Sequence, residues 1–91
     1  MKLRRSVDGV NRGERDAFDI RFGADGTGTL IHFCPNRNSQ CGVAINKGDP
    51  LEWRHGWNGN IEEPTITPSI GCDNAPRCGW HGHITNGVRE P

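Results

Sequence analysis

The sequence predicts a small, mostly-β domain in which short antiparallel hairpins surround a metal site of the zinc-ribbon or zinc-knuckle kind. The chain has 91 residues, of which 32% are hydrophobic, so the core that it can bury is thin and calls for a metal or disulfides. Its 13 Gly and 6 Pro divide it into short segments. No segment keeps the apolar period of an amphipathic helix over ten residues.

Alternating and β-branched segments predict the strands in chain order. Residues 17–22 and 29–33 form a hairpin, and the loop CPNRNSQCG, residues 34–42, follows it. Pro64 and Pro68 keep the next long segment extended and predict that it runs along a sheet edge or over the surface, because proline has no N–H for a central ladder. Further short strands are predicted at residues 43–45, 51–53, 84–85 and 88–89.

Two regions are distinguished, a flexible or edge N-terminal arm at residues 1–16 and a single zinc-stabilised β domain at residues 17–91. The arm is basic at its start, so contact with an acidic partner or nucleic acid is an alternative reading. The largest apolar side chains are predicted to fill the core, with a ligand-facing platform as the alternative for each. These side chains are Trp53, Trp57 and Trp80.

Cysteine and histidine residues form two groups that can hold one metal ion. Cys34 and Cys41 bracket the loop after the first hairpin, and residues 71–87 carry the second group. Thiolate and imidazole are zinc ligands, and two pairs from two hairpin ends close a tetrahedral structural site. Either His81 or Cys72 can supply the fourth ligand. The candidate ligands of a structural Zn²⁺ are Cys34, Cys41, Cys78 and His81, with Cys72 and His83 in reserve.

Bulk properties restrict the function classes. No apolar run is long enough for a membrane span, and no signal peptide is evident, which predicts a cytoplasmic protein. In that reducing compartment cysteines are more often metal ligands than disulfides, which stay the alternative together with unmodified thiols. Eleven basic and eleven acidic side chains give a net charge of zero, which does not indicate a polyanion-binding protein.

Three sequence boxes resemble a family of small, uncharacterised phage and prophage zinc-binding proteins. They are C-P-x5-C-G at 34–42, W-N-G-N-I-E-E-P-T-I-T-P-S-I at 57–70 and C-G-W-H-G-x-I-T-N-G at 78–87. The insert between the first two cysteines is longer than in that family. The resemblance implies a phage origin, with a host cytoplasm as the location. It does not indicate any particular activity. It assigns the metal to Cys34, Cys41, Cys78 and His81 and gives no role to Cys72 or His83.

A second resemblance is to the C-x-x-H-G ligand box of Rieske iron–sulfur proteins, which Cys78 and His81 match. The first Rieske box, C-x-H, has no counterpart here, because Asn36 stands where its histidine belongs. An iron–sulfur electron carrier is therefore the disfavoured cofactor reading.

The sequence offers no evident catalytic apparatus, and the chain is predicted not to be an enzyme. Glu62 and Glu63 are adjacent and point to opposite faces of an extended segment, and His55 is read as a surface residue. The predicted function is a zinc-binding regulatory module that docks on a host protein. The alternative is a nucleic-acid-binding zinc knuckle that uses basic side chains beside exposed tryptophans. These side chains are Arg37, Lys47, Arg54 and Arg77.

Overall fold

The computed structural model describes residues 1–34, 40–71 and 80–90, which form one eight-stranded sheet that curls into a half-barrel. The strands follow one another in the sheet in chain order. Neighbours are antiparallel except for the first pair and the fourth and fifth strands, which are parallel. The elements are β1 Arg4–Arg5, α1 Val7–Asn11, β2 Ala17–Phe22, β3 Thr27–Phe33, β4 Gln40–Lys47, β5 His55–Trp57, β6 Ile66–Gly71, β7 His81–Thr85 and β8 Val88–Glu90.

The mostly-β fold class is confirmed, and so are two of the predicted hairpins. Strands β2 and β3 pair from Phe18 opposite His32 to Phe22 opposite Gly28. Strands β7 and β8 join through Asn86 and Gly87, whose φ angles of 49° and 77° give the left-handed backbone that a two-residue hairpin turn requires. The metal centre of the predicted fold class stays a prediction.

Strand β6 lies between β5 and β7, so the prediction that the proline-containing segment runs along a sheet edge or over the surface is wrong for Ile66–Gly71. The reason is the shortness of β5, which pairs only through Gly56 with Thr67 and through Trp57 with Ile66. The β5 ladder therefore ends before Pro68, whose missing N–H leaves no gap in it. Residues 51–53 also differ from expectation, because Leu51 and Arg54 form an isolated bridge around a tight turn instead of a strand.

The N-terminal segment spans the two ends of the sheet. Arg4 and Arg5 pair with β2 in parallel, whereas the residues before them bond to β8. The Leu3 N–H donates to the Gly87 carbonyl at 2.8 Å, and the Met1 ammonium donates to the Arg89 carbonyl at 2.9 Å. Residues 1–16, predicted as a flexible or edge arm, thus hold both β2 and β8.

Helix α1 packs beside β2 and is capped by Ser6, whose Oγ accepts from the Gly9 N–H at 2.9 Å. The basic side chains around it face acids of the same chain. Arg4 bonds Asp16 and lowers the pKa of that carboxyl, and the pKa of Glu14 is lowered first by a hydrogen bond from Arg12 and then by one from Arg4. These ion pairs occupy part of the basic surface considered as a nucleic-acid contact.

The core lies inside the curl and contains aliphatic side chains from β2 to β7 together with Trp57 and Trp80. The core prediction is confirmed for these two tryptophans, which are 2% and 6% exposed. It is wrong for Trp53, which is 68% exposed because it stands on the Leu51–Arg54 turn outside the sheet. In the described part of the chain, no helix is long and apolar enough to cross a bilayer.

Candidate functional site

Ser69 and His81 meet on the solvent side of the sheet. Ser69 lies in β6 and His81 at the start of the adjacent β7, where Gly71 is the direct cross-strand partner of His81. Ser69 precedes Gly71 by two residues. Because side chains alternate along a strand, the Ser69 side chain lies on the same face of the sheet as that of His81. The distance from Ser69 Oγ to His81 Nε2 is 2.7 Å.

Strand alternation explains why both side chains face outward. In β7, Gly82 and Ile84 point into the core while His81 and His83 are exposed. In β6, Ile66 and Ile70 are buried and Ser69 is half-buried. The apolar residues therefore fix which face of each strand is buried, and the serine and histidine are left where a substrate can reach them.

This geometry matches the first requirement of nucleophilic catalysis, a hydroxyl within hydrogen-bond reach of a base. When the imidazole carries its proton on Nδ1, Nε2 accepts the hydroxyl proton of Ser69. Among residues 1–34, 40–71 and 80–90, Ser69 is the hydrogen-bond partner of His81, and no carboxylate there bonds to its other nitrogen. The described arrangement is a serine–histidine dyad.

His55 supports the backbone of Ser69 from the other side. It lies in β5, and its Nε2 is 3.0 Å from the Ser69 carbonyl oxygen. A carbonyl oxygen only accepts, so the ring nitrogen must donate. The bond lies where β5 no longer pairs with β6, and it holds the β6 backbone at Ser69.

The other two histidines have different surroundings. His83 is exposed and stands opposite Glu90 in the β7–β8 ladder. His32 is fully buried, its Nδ1 is 3.1 Å from the Arg89 guanidinium, and its ring packs on Trp80. Burial, reinforced by the charge of Arg89, lowers the pKa of His32 to about 4. His32 is therefore a neutral core residue that cannot serve as a base at the surface.

The predicted metal ligands are divided by the structure. Cys34 and Cys41 belong to the buried core cluster at the end of β3 and the beginning of β4, whereas His81 lies beside Ser69 on the exposed face. The reserve ligand His83 is exposed on the same strand as His81. Cys72 and Cys78 lie outside the described residues.

The chemistry of Cys41 bears on the zinc hypothesis. Cys41 is disulfide-bonded. A cysteine in a disulfide has no thiolate to offer a metal, so the disulfide and the zinc site are alternatives at this residue. Within the described ranges no three His, Cys, Asp or Glu side chains converge as metal ligands. The zinc site of Cys34, Cys41, Cys78 and His81 stays a prediction, as does the disfavoured iron–sulfur cluster.

Sequence reasoning missed Ser69 and His55. Ser69 lies in the middle box, between Pro68 and Ile70, where no residue pattern marks a nucleophile. The usable signal was strand alternation, because the buried positions Ile70 and Ile84 place Ser69 and His81 on one outer face once β6 and β7 are paired. The sequence predicts a surface position for His55, whereas it is half-buried and bonded to the Ser69 carbonyl.

Comparison with known proteins gives one family. A family model described as "Bacterial ubiquitination-like system serine protease (BubE)" matches residues 7–90. Searches of curated proteins and of solved structures gave no significant match. This description overturns the prediction that the chain is not an enzyme, which rested on the absence of an evident catalytic pair in the sequence. It also differs from the phage zinc-binding family that the three boxes resemble.

The match covers nearly the whole described chain, including both residues of the dyad. The chain therefore belongs to the BubE family of bacterial ubiquitination-like system serine proteases.

Proposed function

We propose that this protein is a serine protease in which Ser69 is the nucleophile and His81 the general base and acid. The observation that carries the proposal is the 2.7 Å contact between Ser69 Oγ and His81 Nε2. The family description supports the reaction class and suggests that the substrate is a polypeptide handled by a bacterial ubiquitination-like system.

The other serines support Ser69 by their positions. The chain has three, Ser6, Ser39 and Ser69. The hydroxyl of Ser6 is engaged as the N-cap of α1, and Ser39 lies outside the described residues. In the described part of the chain, Ser69 alone combines a histidine partner with a position on the open face.

The reaction follows from the dyad. Ser69 Oγ attacks the substrate carbonyl carbon while its proton passes to His81 Nε2. The tetrahedral intermediate collapses, the carbon–nitrogen bond breaks, and the leaving amine takes the proton from His81. Water then attacks the Ser69 ester with His81 again as base, which releases the carboxylic acid and restores the hydroxyl.

The test is covalent labelling and turnover. Wild-type protein should react with an alkyl fluorophosphonate at Ser69, identified by peptide mass mapping, and should hydrolyse p-nitrophenyl acetate. Ser69→Ala should abolish both. His81→Ala should lower the hydrolysis rate about 10²–10⁴-fold, the usual contribution of a general base.

Two variants serve as matched controls. Ser6→Ala removes a hydroxyl with a capping role, and His83→Ala removes an exposed histidine from the same strand as His81. Both should retain labelling and turnover. Undiminished labelling and hydrolysis in Ser69→Ala protein would contradict the proposal.

The proposed protease activity leaves the predicted binding partners open. A host protein as the docking partner stays a prediction, and nucleic acid stays its alternative. Arg54 is less available for a phosphate than expected, since its guanidinium donates to the carbonyls of Gly28 and Ile45 at 2.9 Å and 3.1 Å.

A further inference from the structure

A cleft with a volume of about 350 Å³ lies at Pro68, the residue before Ser69. It is lined by residues 50–55 and by Pro68. Pro68 precedes the nucleophile in the chain, and His55 donates to the nucleophile's carbonyl. Two of the residues that line the cleft, His55 and Pro68, therefore adjoin Ser69.

The wall of the cleft is a rigid, exposed apolar platform. Trp53 and Leu51 are 68% and 54% exposed, which is unusual for side chains of this size held in a fixed position. Leu51 and Arg54 exchange two backbone hydrogen bonds of 3.0 Å and 3.1 Å, which close the turn that carries Trp53.

Arg54 also fixes the Trp53 ring. Its guanidinium carbon is 4.1 Å from the ring centroid, while its NH1 group donates to two carbonyls of the sheet, in β3 and β4. The aromatic ring is thus held on one side by a cation that is itself anchored. Such preorganisation lowers the entropy lost when a ligand binds.

The direction of the reaction determines which part of a substrate meets this cleft. His81 must protonate the leaving group, so the leaving group lies on the β7 side of Ser69. Strand β6 separates β7 from β5, and the cleft lies on the β5 side. The acyl part of the substrate therefore extends from Ser69 past His55 toward Trp53.

We infer that this cleft is the acyl-side subsite of the enzyme and that it binds an apolar side chain on the carbonyl side of the scissile bond. The inference rests on the proposed function of Ser69 and His81. The cleft offers apolar contact through Leu51, Trp53, Pro50 and Pro68. The exposed carboxylate of Glu52 at the turn disfavours an acidic side chain.

The test varies the acyl group and keeps the leaving group constant. Wild-type protein should hydrolyse p-nitrophenyl hexanoate with a kcat/KM at least about tenfold above that for p-nitrophenyl acetate, since extra methylenes in an apolar pocket discriminate on this scale. Trp53→Ala should remove most of this preference, so that the kcat/KM values for the two esters become similar. Leu51→Ala should act in the same direction.

Phe22→Ala is the matched control, because Phe22 is 53% exposed and does not line the cleft. It should keep the hexanoate preference of the wild type. An equal preference in wild type and Trp53→Ala, with hydrolysis still dependent on Ser69, would overturn the subsite alone. Hydrolysis that persists in Ser69→Ala protein would instead overturn the proposed function.

Discussion

The His55 side chain supplies a hydrogen bond to the Ser69 carbonyl at a point where no residue of β5 pairs with β6. Strand β5 begins at this residue, and the His55 ring nitrogen bonds the Ser69 carbonyl at 3.0 Å. Because the donor is a side chain, the nucleophile's backbone is fixed while the adjoining cleft stays open. His55 is thus a positioning residue that acts through Ser69.

His55→Leu should lower kcat for p-nitrophenyl acetate about 10–100-fold, because a small displacement of the nucleophile from its attack geometry costs rates of this order. KM for this ester should change little, since its acetyl group is too short to fill the cleft that His55 lines. His55→Gln restores a side-chain N–H donor and should recover most of kcat. Steady-state kinetics of both variants, with thermal melting to confirm folding, provide the measurement. Equal kcat in the leucine variant and the wild type would refute the positioning role.

Single residues also show where the sequence was informative. Cysteine and histidine attract a metal hypothesis from composition and spacing, and His81 was singled out for that reason. An imidazole serves equally as ligand or base, and only its neighbour distinguishes the two roles. Its neighbour Ser69 is 12 positions away and becomes adjacent only through β6–β7 pairing, which no local pattern specifies.

Among the elements, the turn over residues 50–55 depends on a glycine beneath it. A Cβ on Gly56 would lie 2.6 Å from the Gly48 carbonyl oxygen and 2.9 Å from Pro50 Cδ. Both neighbours belong to the chain leading into the turn, so the cleft wall and β5 can approach closely only because this side chain is absent.

Gly56→Ala should destabilise the protein by about 1–3 kcal/mol, the cost of overpacking a site that cannot yield. Gly42→Ala is the matched control in another strand, where the nearest atom to the new Cβ is Thr29 Cγ2 at 3.6 Å. The control should change stability by no more than about 0.5 kcal/mol. Urea unfolding of the two variants measures the difference, and equal midpoints would contradict the packing argument.

Local patterns predicted the elements best where each strand and its partner are close in sequence. The β2–β3 and β7–β8 hairpins follow from alternation and turn residues. The position of β6 inside the sheet does not follow from local patterns. Pro68 is tolerated there because the β5–β6 pairing stops at Gly56 and Thr67. The five residues of α1 are too few to show a helical period.

For the molecule as a whole, stability depends on the N-terminal segment that spans the ends of the sheet. Leu3 is 2% exposed and belongs to the core, and its N–H bonds the Gly87 carbonyl at 2.8 Å. The mostly-β architecture follows from the composition and from the spacing of glycine and proline. The contact between Leu3 and Gly87, by contrast, has no signal in a polar N-terminal sequence.

Leu3→Ala should cost about 2–5 kcal/mol of unfolding free energy, as expected for a buried leucine that leaves a cavity. Leu51→Ala makes the same chemical change at a residue that is 54% exposed and should cost much less. Chemical denaturation followed by tryptophan fluorescence compares the two variants. A similar loss in both would show that the N-terminal segment does not contribute to the core.

The hydrogen bonds between the N-terminal segment and β8 also determine the order of folding during synthesis. Met1 and Arg89 exchange hydrogen bonds across 88 positions of the chain, and Arg89 further donates to carbonyls at Arg15 and Phe33. The ribosome makes Arg89 88 positions after Met1. The N-terminal segment must therefore wait for β8 to leave the exit tunnel, and we expect this docking step to be slow, because the contact joins residues far apart in sequence.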